Sequence, residues 1–314
     1  MNHAHSHASE HHDHPQEITR AAGRERKLLF AFLLTTGMMV AEVIGGLWSG
    51  SLALVADAGH MLVDSLALAL AFFAVRLALR PADARRTYGY GRLEVLAGFV
   101  NALTQFLLVG FIAYEAITRL FKPVEILSGV MLGVAIVGLL VNLIVLRILH
   151  GHAHDDVNFG AATLHVLGDL LGSVGAVLAA LAVRWMGWNW ADPVLSLLVS
   201  LLILHSAWQL LRRSTHILLE GVPEGMDPQE VETVLRTVDV SIRDVHHLHV
   251  WQLASGSRMA TLHLELHDHN DGARVLAAVN LALQERFGIR HTTVQIDLGD
   301  CPDGDPGCNA RHPH

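Results

Sequence analysis

The chain has 314 residues, of which 52% are hydrophobic and only 17% are charged. Soluble globular domains carry about 25% charged residues, so this composition predicts a membrane protein. The net charge of −8 argues against a nucleic-acid partner, which would need a basic stripe. Only two cysteines are present, which excludes a disulfide-stapled fold for most of the chain, whereas 22 histidines indicate metal handling.

The first 27 residues are polar and rich in histidine, and we expect them to form a cytoplasmic tail. No apolar stretch follows Met1 closely, so we expect no signal peptide. Two interpretations of the tail remain open. It either collects zinc near the entrance of a transport path, or it is a solvated polar segment with incidental metal affinity. The histidines concerned are His3, His5, His7, His11, His12 and His14.

Six apolar stretches follow, each near or above the ~20 residues that a helix needs to cross a ~30 Å hydrocarbon core. We therefore predict an all-α six-helix transmembrane bundle over residues 28–212, embedded in a lipid bilayer. The four-residue link at residues 48–51 makes the first two helices a tight hairpin. The stretches are Leu28–Trp48, Leu52–Leu79, Val95–Leu120, Ile126–Leu149, Phe159–Met186 and Pro193–Leu211.

The distribution of Lys and Arg predicts the orientation of the bundle. One side carries twelve of these residues, from Arg20 to Arg213, and the other only Arg119, Lys122 and Arg184. Because positively charged loops stay inside, both termini are predicted to be cytoplasmic. We expect an integral multi-pass protein of a bacterial cytoplasmic (inner) membrane.

The second and fifth stretches share the pattern His-x-x-x-Asp, as His60 with Asp64 and His165 with Asp169. Residues four apart lie on one face of a helix, so each helix presents an imidazole and a carboxylate to the same side. Two such faces brought together supply the two nitrogens and two oxygens of a tetrahedral Zn²⁺ site. A hydrogen-bonded pair that merely locks helices is the alternative for either motif alone.

Energetics favour the metal site over the alternative. A carboxylate in mid-membrane costs about 2.5–3.5 kcal/mol on insertion scales, so two of them need a compensating cation or protons. Asp57, two turns before Asp64, is either a partner of a metal ligand, a proton site or a helix-packing residue. For other polar residues in the helices we expect interhelical hydrogen bonds. These residues are Glu42, Asn101, Gln105 and Asn142.

Residues 213–300 have a mixed, soluble composition and predict a cytoplasmic α+β domain. The predicted order is αββαβ, with helices at Met226–Val238 and Gly272–Phe287. Asp271 is the expected N-cap of the second helix. The strands are predicted at Val245–Leu253, Met259–His267 and Thr292–Leu298. Residues 301–314 are Pro/Gly-rich and are predicted to be disordered, with Cys301 and Cys308 as weak candidates for metal binding.

Further histidines lie outside the membrane. His150, His152 and His154 lie in the loop between the fourth and fifth helices, where they either collect metal or are simply solvated. Seven more lie between residues 246 and 291 of the soluble domain. If residues 245–253 form a regular strand, His247 and His249 share one face and His246 points to the other, so the three cannot bind one ion.

Taken together, these motifs resemble the cation diffusion facilitator family over nearly the whole chain. The matching segments run from Ser51 to Asp64, from Tyr88 to Glu94 and from Asn158 to Asp169, and include His246-His-Leu-His-Val-Trp251. The resemblance implies a homodimer that moves Zn²⁺, and in some members Cd²⁺ or Co²⁺, out of the cytoplasm in exchange for protons. It also implies a metallochaperone-like cytoplasmic domain that binds further, regulatory zinc.

The resemblance assigns the transport site to His60, Asp64, His165 and Asp169. It assigns the cytoplasmic site to His246, His263 and Asp297. Some members have a histidine two residues before that last aspartate, where this chain has Gln295. Other members bind metal in the loop between the second and third helices, but here that loop offers Asp83 and no histidine, so we expect no site there.

The leading hypothesis is alternating access around the four-ligand site, with protons displacing the metal. Imidazole suits this role because it titrates near neutral pH. The rival hypothesis is a membrane-bound metal sensor without net transport. An enzyme is not expected, since the His-Glu-x-x-His motif is missing and four protein ligands leave no position for a catalytic water.

Overall fold

The structure is a computed structural model that describes residues 14–78, 80–150, 157–254 and 256–297. Side chains are described in these ranges except at residues 14–29, 31, 149–150, 157–166 and 269. Six long helices lead the described part of the chain, and each contains a segment long and apolar enough to span a membrane. They are α1 (His14–Ser49), α2 (Leu52–Ala78), α3 (Arg92–Phe121), α4 (Ser128–His150), α5 (Val157–Met186) and α6 (Ala191–Leu218). The prediction of a multi-pass membrane protein is confirmed.

The chain divides into two compact units, and α2, α3 and α6 each contribute to both. The first unit comprises Met1–Leu62 and Leu107–Ile203. In it, α4 packs along both α1 and α5. Small residues permit this close packing. A Cβ atom at Gly45 would lie 2.5 Å from Val134 Cγ2, and one at Gly175 would lie 2.7 Å from Leu195 Cδ1.

The α1–α2 hairpin is as tight as predicted, because Gly50 turns the chain between Ser49 and Leu52 with a φ of 73°. The outer surfaces of the helices are apolar, as a lipid-facing surface requires. Four exposed tryptophans lie at helix ends, where an interfacial aromatic belt is expected, and Trp188 stacks on Trp190. They are Trp48, Trp185, Trp188 and Trp190.

The second unit comprises Val63–Phe106 and Leu204–His314 and contains the α+β domain. The observed order is αββαβ, which confirms the predicted fold class. The elements are α7 (Pro228–Val238), β1 (Ile242–Ala254), β2 (Ser257–Leu266), α8 (Gly272–Phe287) and β3 (Ile289–Asp297). Strand β2 is central, antiparallel to β1 and parallel to β3.

Both helices of this domain pack on one face of the sheet. Leu235 of α7 and Leu283 of α8 are fully buried in one core with Leu262 and Leu264 of β2. Alternation along β2 places Thr261, His263 and Glu265 on the opposite face. The polar residues that matter below therefore lie on the face that α7 and α8 leave uncovered.

The two helices of the domain begin differently. Asp227 caps α7, since its Oδ1 accepts from the Gln229 amide at 2.9 Å, and Pro228 occupies the first helical position. The predicted N-cap Asp271 does precede α8, but its side chain makes no capping hydrogen bond. Its carboxylate instead accepts from the Ser241 hydroxyl at 2.7 Å, which competes with the capping geometry.

Candidate metal centres

The membrane helices place the predicted ligands at different depths of burial. His60 and Asp64 are half-buried on α2, one turn apart. Asp169 on α5 is only 7% exposed. His165 lies on α5 one turn before Asp169, but its side chain is outside the described residues.

The side chain of Asp57 on α2 extends towards α5. A Cβ atom at Gly172 would lie 3.7 Å from Asp57 Oδ1, so the Asp57 carboxylate faces α5. Gly172 follows Asp169 by three residues and therefore lies on the same helical face. The acidic faces of α2 and α5 thus meet within the first unit.

Interhelical hydrogen bonds hold two of the four predicted polar side chains, Gln105 and Asn142, whereas Glu42 Oε2 and Asn101 Oδ1 are buried without a hydrogen-bond partner among the described residues. Gln105 of α3 donates from Nε2 to Asp64 Oδ1 at 2.8 Å. Asn142 of α4 donates from Nδ2 to Ser173 Oγ of α5 at 3.0 Å. Glu42 is 2% exposed and lies against α4, where a Cβ atom at Gly138 would be 3.0 Å from its Oε1.

On the uncovered face of the sheet, the structure brings together His246, His263 and Asp297. His246 Nε2 lies 2.9 Å and His263 Nδ1 lies 3.4 Å from Asp297 Oδ2. One ligand atom from each residue lies within 4.8 Å of the others. Zinc ligands at about 2.0–2.1 Å from the ion are separated by similar distances, so the three residues fit a Zn²⁺ ion.

Neighbouring side chains lie beside two of these ligands. His246 Nδ1 lies 3.5 Å from Asp244 Oδ2, and Arg236 Nη1 lies 2.5 Å from Asp244 Oδ1. The Asp244 carboxylate therefore lies near the far nitrogen of the His246 ring but does not hydrogen-bond to it. Gln295 donates from Nε2 to Asp297 Oδ1 at 3.1 Å. The glutamine that stands where some family members have a histidine therefore holds a proposed metal ligand in place.

The predicted alternation of histidines on β1 is wrong at His247. Its ring centroid lies 5.7 Å from that of His246 and 5.1 Å from that of His263, so these three histidines cluster. The reason is an irregularity of the strand between His246 and His249, where the register shifts. His249 is exposed, and its ring centroid lies 6.5 Å from that of His247.

The other predicted metal-binding residues receive no structural test. The histidine-rich head up to residue 13, His152, His154, Cys301 and Cys308 lie outside the described residues, as does the side chain of His150.

In the α2–α3 loop, Asp83 accepts from the Tyr90 hydroxyl at 2.6 Å and from the amides of Arg85 and Arg86 at 2.8 Å. These hydrogen bonds, that of Tyr90 foremost, lower the pKa of the Asp83 carboxyl.

Comparison with known proteins assigns the chain to a family. The model of the cation efflux transmembrane domain matches residues 28–219, and that of the cation efflux protein cytoplasmic domain matches residues 223–298. The zinc transporter ZitB of Escherichia coli is 44% identical over 302 residues, which cover 96% of this chain and 94% of that protein.

Two further relatives are named for metal-cation efflux or antiport. The metal cation efflux system protein CzcD of Cupriavidus metallidurans is 42% identical, over 94% of this chain and 91% of that protein. A cadmium, cobalt and zinc/H⁺-K⁺ antiporter of Bacillus subtilis is 39% identical, over 87% of this chain and 89% of that protein. These relatives are transporters, not enzymes. The chain belongs to the cation efflux (cation diffusion facilitator) family, and it is a membrane transporter of metal cations.

Proposed function

We propose that the chain exports Zn²⁺ from the cytoplasm in exchange for protons. The transported ion binds in the membrane to His60, Asp64, His165 and Asp169. Residues 28–212 form the transmembrane domain of this proposal, residues 213–300 its cytoplasmic domain, and both termini lie on the cytoplasmic side of the inner membrane. Two copies of the chain assemble as a homodimer.

The observation that carries the proposal is the pair of acidic helix faces on α2 and α5. Asp169 is buried, and Asp57 faces α5 across Gly172. Carboxylates at this depth cost about 2.5–3.5 kcal/mol each unless a cation or protons accompany them. A divalent cation that binds and leaves satisfies this requirement for part of the cycle.

Protons supply the positive charge that the buried carboxylates require in the remainder of the transport cycle. Metal ligands must be deprotonated, so Zn²⁺ binding releases protons and protonation releases Zn²⁺. Imidazole nitrogens titrate near neutral pH, which lets a modest pH difference across the membrane drive the exchange. Support for the coupling comes from the Bacillus subtilis relative, which is named as an antiporter with H⁺.

The proposed cargo is Zn²⁺, as in the name of the Escherichia coli relative. Two nitrogen and two oxygen ligands also suit Cd²⁺ and Co²⁺, so these are the competitors to compare. The cytoplasmic cluster of His246, His263 and Asp297 is proposed as a regulatory zinc site, because its residues belong to the soluble domain and not to the membrane helices that carry the transport ligands.

The test is metal uptake into proteoliposomes with an imposed pH gradient. Asp169→Asn and Asp64→Asn should abolish Zn²⁺ flux, because each removes an anionic ligand with little change in volume. Glu115→Gln is the matched control, since this carboxylate on α3 pairs with Arg119 at 2.9 Å and is not a proposed ligand. It should transport like the parent.

Three outcomes would contradict parts of the proposal. Flux that persists in Asp169→Asn removes the assigned site. Zn²⁺ flux that does not respond to the pH gradient removes proton coupling. Metal binding with a conformational change but without net flux would make the protein a membrane metal sensor instead.

A further inference from the structure

Strand β1 contains a bulge at the histidine cluster. His246 pairs with His263, but the next pair is His249 with Thr261, so β1 has one residue more than β2 over this interval. His247 adopts a left-handed backbone conformation with a φ of 50°. This conformation favours glycine, and among the other residues Asn, Asp and His adopt it most often.

The bulge changes which side of the sheet each residue faces. Leu248 packs against the buried core, together with Val245 and Val250. His247, the extra residue, lies with the histidines of the uncovered face. Its ring is half-buried there, near those of His246 and His263.

Packing alone does not account for a histidine at this position. A non-glycine residue in a sparsely populated backbone region costs about 1–3 kcal/mol. Leu248 already supplies the apolar side chain that the core needs at the bulge. Glycine would relieve this strain, and the core does not require the imidazole of His247.

We infer that His247 is the fourth ligand of a zinc ion bound by His246, His263 and Asp297. The inference rests on the proposed function only in taking Zn²⁺ as the metal handled. Two imidazoles on one tetrahedral Zn²⁺ ion have their ring centres about 5 Å apart. The observed separations of 5.1 and 5.7 Å match this geometry. Among the described residues, ligand atoms of His246, His263 and Asp297 lie within 4.8 Å of one another, so the His247 side chain has to rotate to join them.

A fourth protein ligand changes the character of the site. Three protein ligands leave a position open for water, whereas four close the coordination sphere, as in structural zinc sites. Gln295 then needs no direct role as a ligand, since its amide already holds Asp297 Oδ1. His247 supplies the nitrogen that a histidine at position 295 would otherwise supply.

The test measures metal binding by the full chain in detergent, not flux. His247→Asn keeps a residue that tolerates positive φ, and His249→Asn is the matched control on the same strand. Co²⁺ serves as the optical probe of tetrahedral coordination, and Zn²⁺ affinity is measured by competition with a chelator. All variants carry Asp169→Asn to suppress the membrane site.

We expect His247→Asn to lower the Zn²⁺ affinity of the cytoplasmic site by about 10–100-fold. The same substitution should weaken the tetrahedral Co²⁺ absorption. His249→Asn should change neither. His247→Gly should raise the thermal midpoint of the metal-free protein, because it relieves the backbone strain, yet reduce the additional stabilisation by Zn²⁺.

Equal Zn²⁺ affinity and an equal Co²⁺ spectrum in His247→Asn and the parent would overturn the inference. So would a parent whose Co²⁺ spectrum shows no tetrahedral site that depends on His246. Because transport is not measured, failure of the transport proposal leaves this result unaffected. The reverse also holds, since flux through the membrane site does not require His247.

Discussion

The carboxylate of Asp192, in the first turn of α6, hydrogen-bonds to Ser51 just before the start of α2. Asp192 Oδ1 accepts from the Ser51 hydroxyl at 2.6 Å, and Oδ2 accepts from the Leu52 amide at 2.7 Å. The Ala53 amide also donates to Oδ1, at 3.2 Å. Both Asp192 and Ser51 are fully buried. One side chain therefore caps the helix that carries His60 and Asp64, from a position 140 residues away along the chain.

Replacing Asp192 should destabilise the transmembrane unit. Asp192→Ala leaves the amides of Leu52 and Ala53 buried without an acceptor, at about 1–3 kcal/mol for each group. Thermal unfolding in detergent should show a clearly lower midpoint. Ser51→Ala removes the hydroxyl that donates to Asp192 and accepts from the Leu54 amide at 3.3 Å. Its effect should be smaller, because Asp192 still accepts from the amides of Leu52 and Ala53. An Asp192→Ala protein as stable as the parent would show that the cap does not hold α2.

The hydrogen bond from Gln105 to Asp64 should tune metal affinity without supplying a ligand. Partners that orient metal ligands typically contribute 10–100-fold to affinity. Gln105→Ala should therefore raise the Zn²⁺ concentration for half-maximal flux by about that factor, with flux retained at saturation. Thr104→Ala is the control, since the Thr104 hydroxyl donates to its own helix at Val100. An unchanged half-saturation concentration in Gln105→Ala would contradict this role.

Asp271 should contribute stability to the cytoplasmic domain only above acidic pH. The Ser241 hydroxyl, and after it Arg274, lower the pKa of the Asp271 carboxyl. A group whose pKa is lower in the folded state stabilises fully above its unfolded pKa, about 3.9 for Asp. That stability is lost as the pH falls through the folded pKa.

Asp271→Asn should accordingly lower the unfolding midpoint at pH 7, and the difference from the parent should shrink as the pH falls below about 4. Asp268→Asn is a suitable comparison in the same turn, because the Asp268 carboxylate accepts from the backbone amide of Asn270 and not from Arg274. A midpoint difference that stays constant from pH 7 into the acid range would argue against the carboxylate as the cause.

The elements of the fold were predictable because each is dictated by local periodicity. Six apolar stretches became six helices, and the αββαβ order followed from alternation and turn residues. The pairing of Asp192 with Ser51 was not predictable, since no local pattern connects residues so distant in sequence. The prediction that the Asp271 side chain caps α8 was wrong for the same reason, because its hydrogen-bond partner Ser241 lies 30 residues away.

The bulge at His247 did leave a trace in the sequence. Val245 and Val250 both face the core, yet they are five residues apart. In an uninterrupted strand, residues on one face are separated by an even number. An odd separation between two core valines therefore indicates an inserted residue. Reading the pattern as regular alternation placed His246 and His247 on opposite faces.

The close contact between α1 and α4 at Gly45 should make this glycine irreplaceable. A Cβ atom there would lie 2.5 Å from Val134 Cγ2 and 3.2 Å from its Cγ1, so Gly45→Ala forces the helices apart. Overpacking of this kind costs about 1–3 kcal/mol. Gly37→Ala, on the same helix, meets no atom within 4 Å and should leave the unfolding midpoint unchanged or slightly higher.

The second substitution, Val134→Ala, shows whether Gly45→Ala destabilises the protein through a clash with Val134 or for another reason. It removes both methyl groups that the new Cβ would meet, so the double variant should be more stable than Gly45→Ala alone. A double-mutant cycle on the midpoints gives the coupling, which for contacting residues is about 0.5–3 kcal/mol. Additive effects of the two substitutions would mean that Gly45 and Val134 do not touch, and that α1 packs against α4 elsewhere.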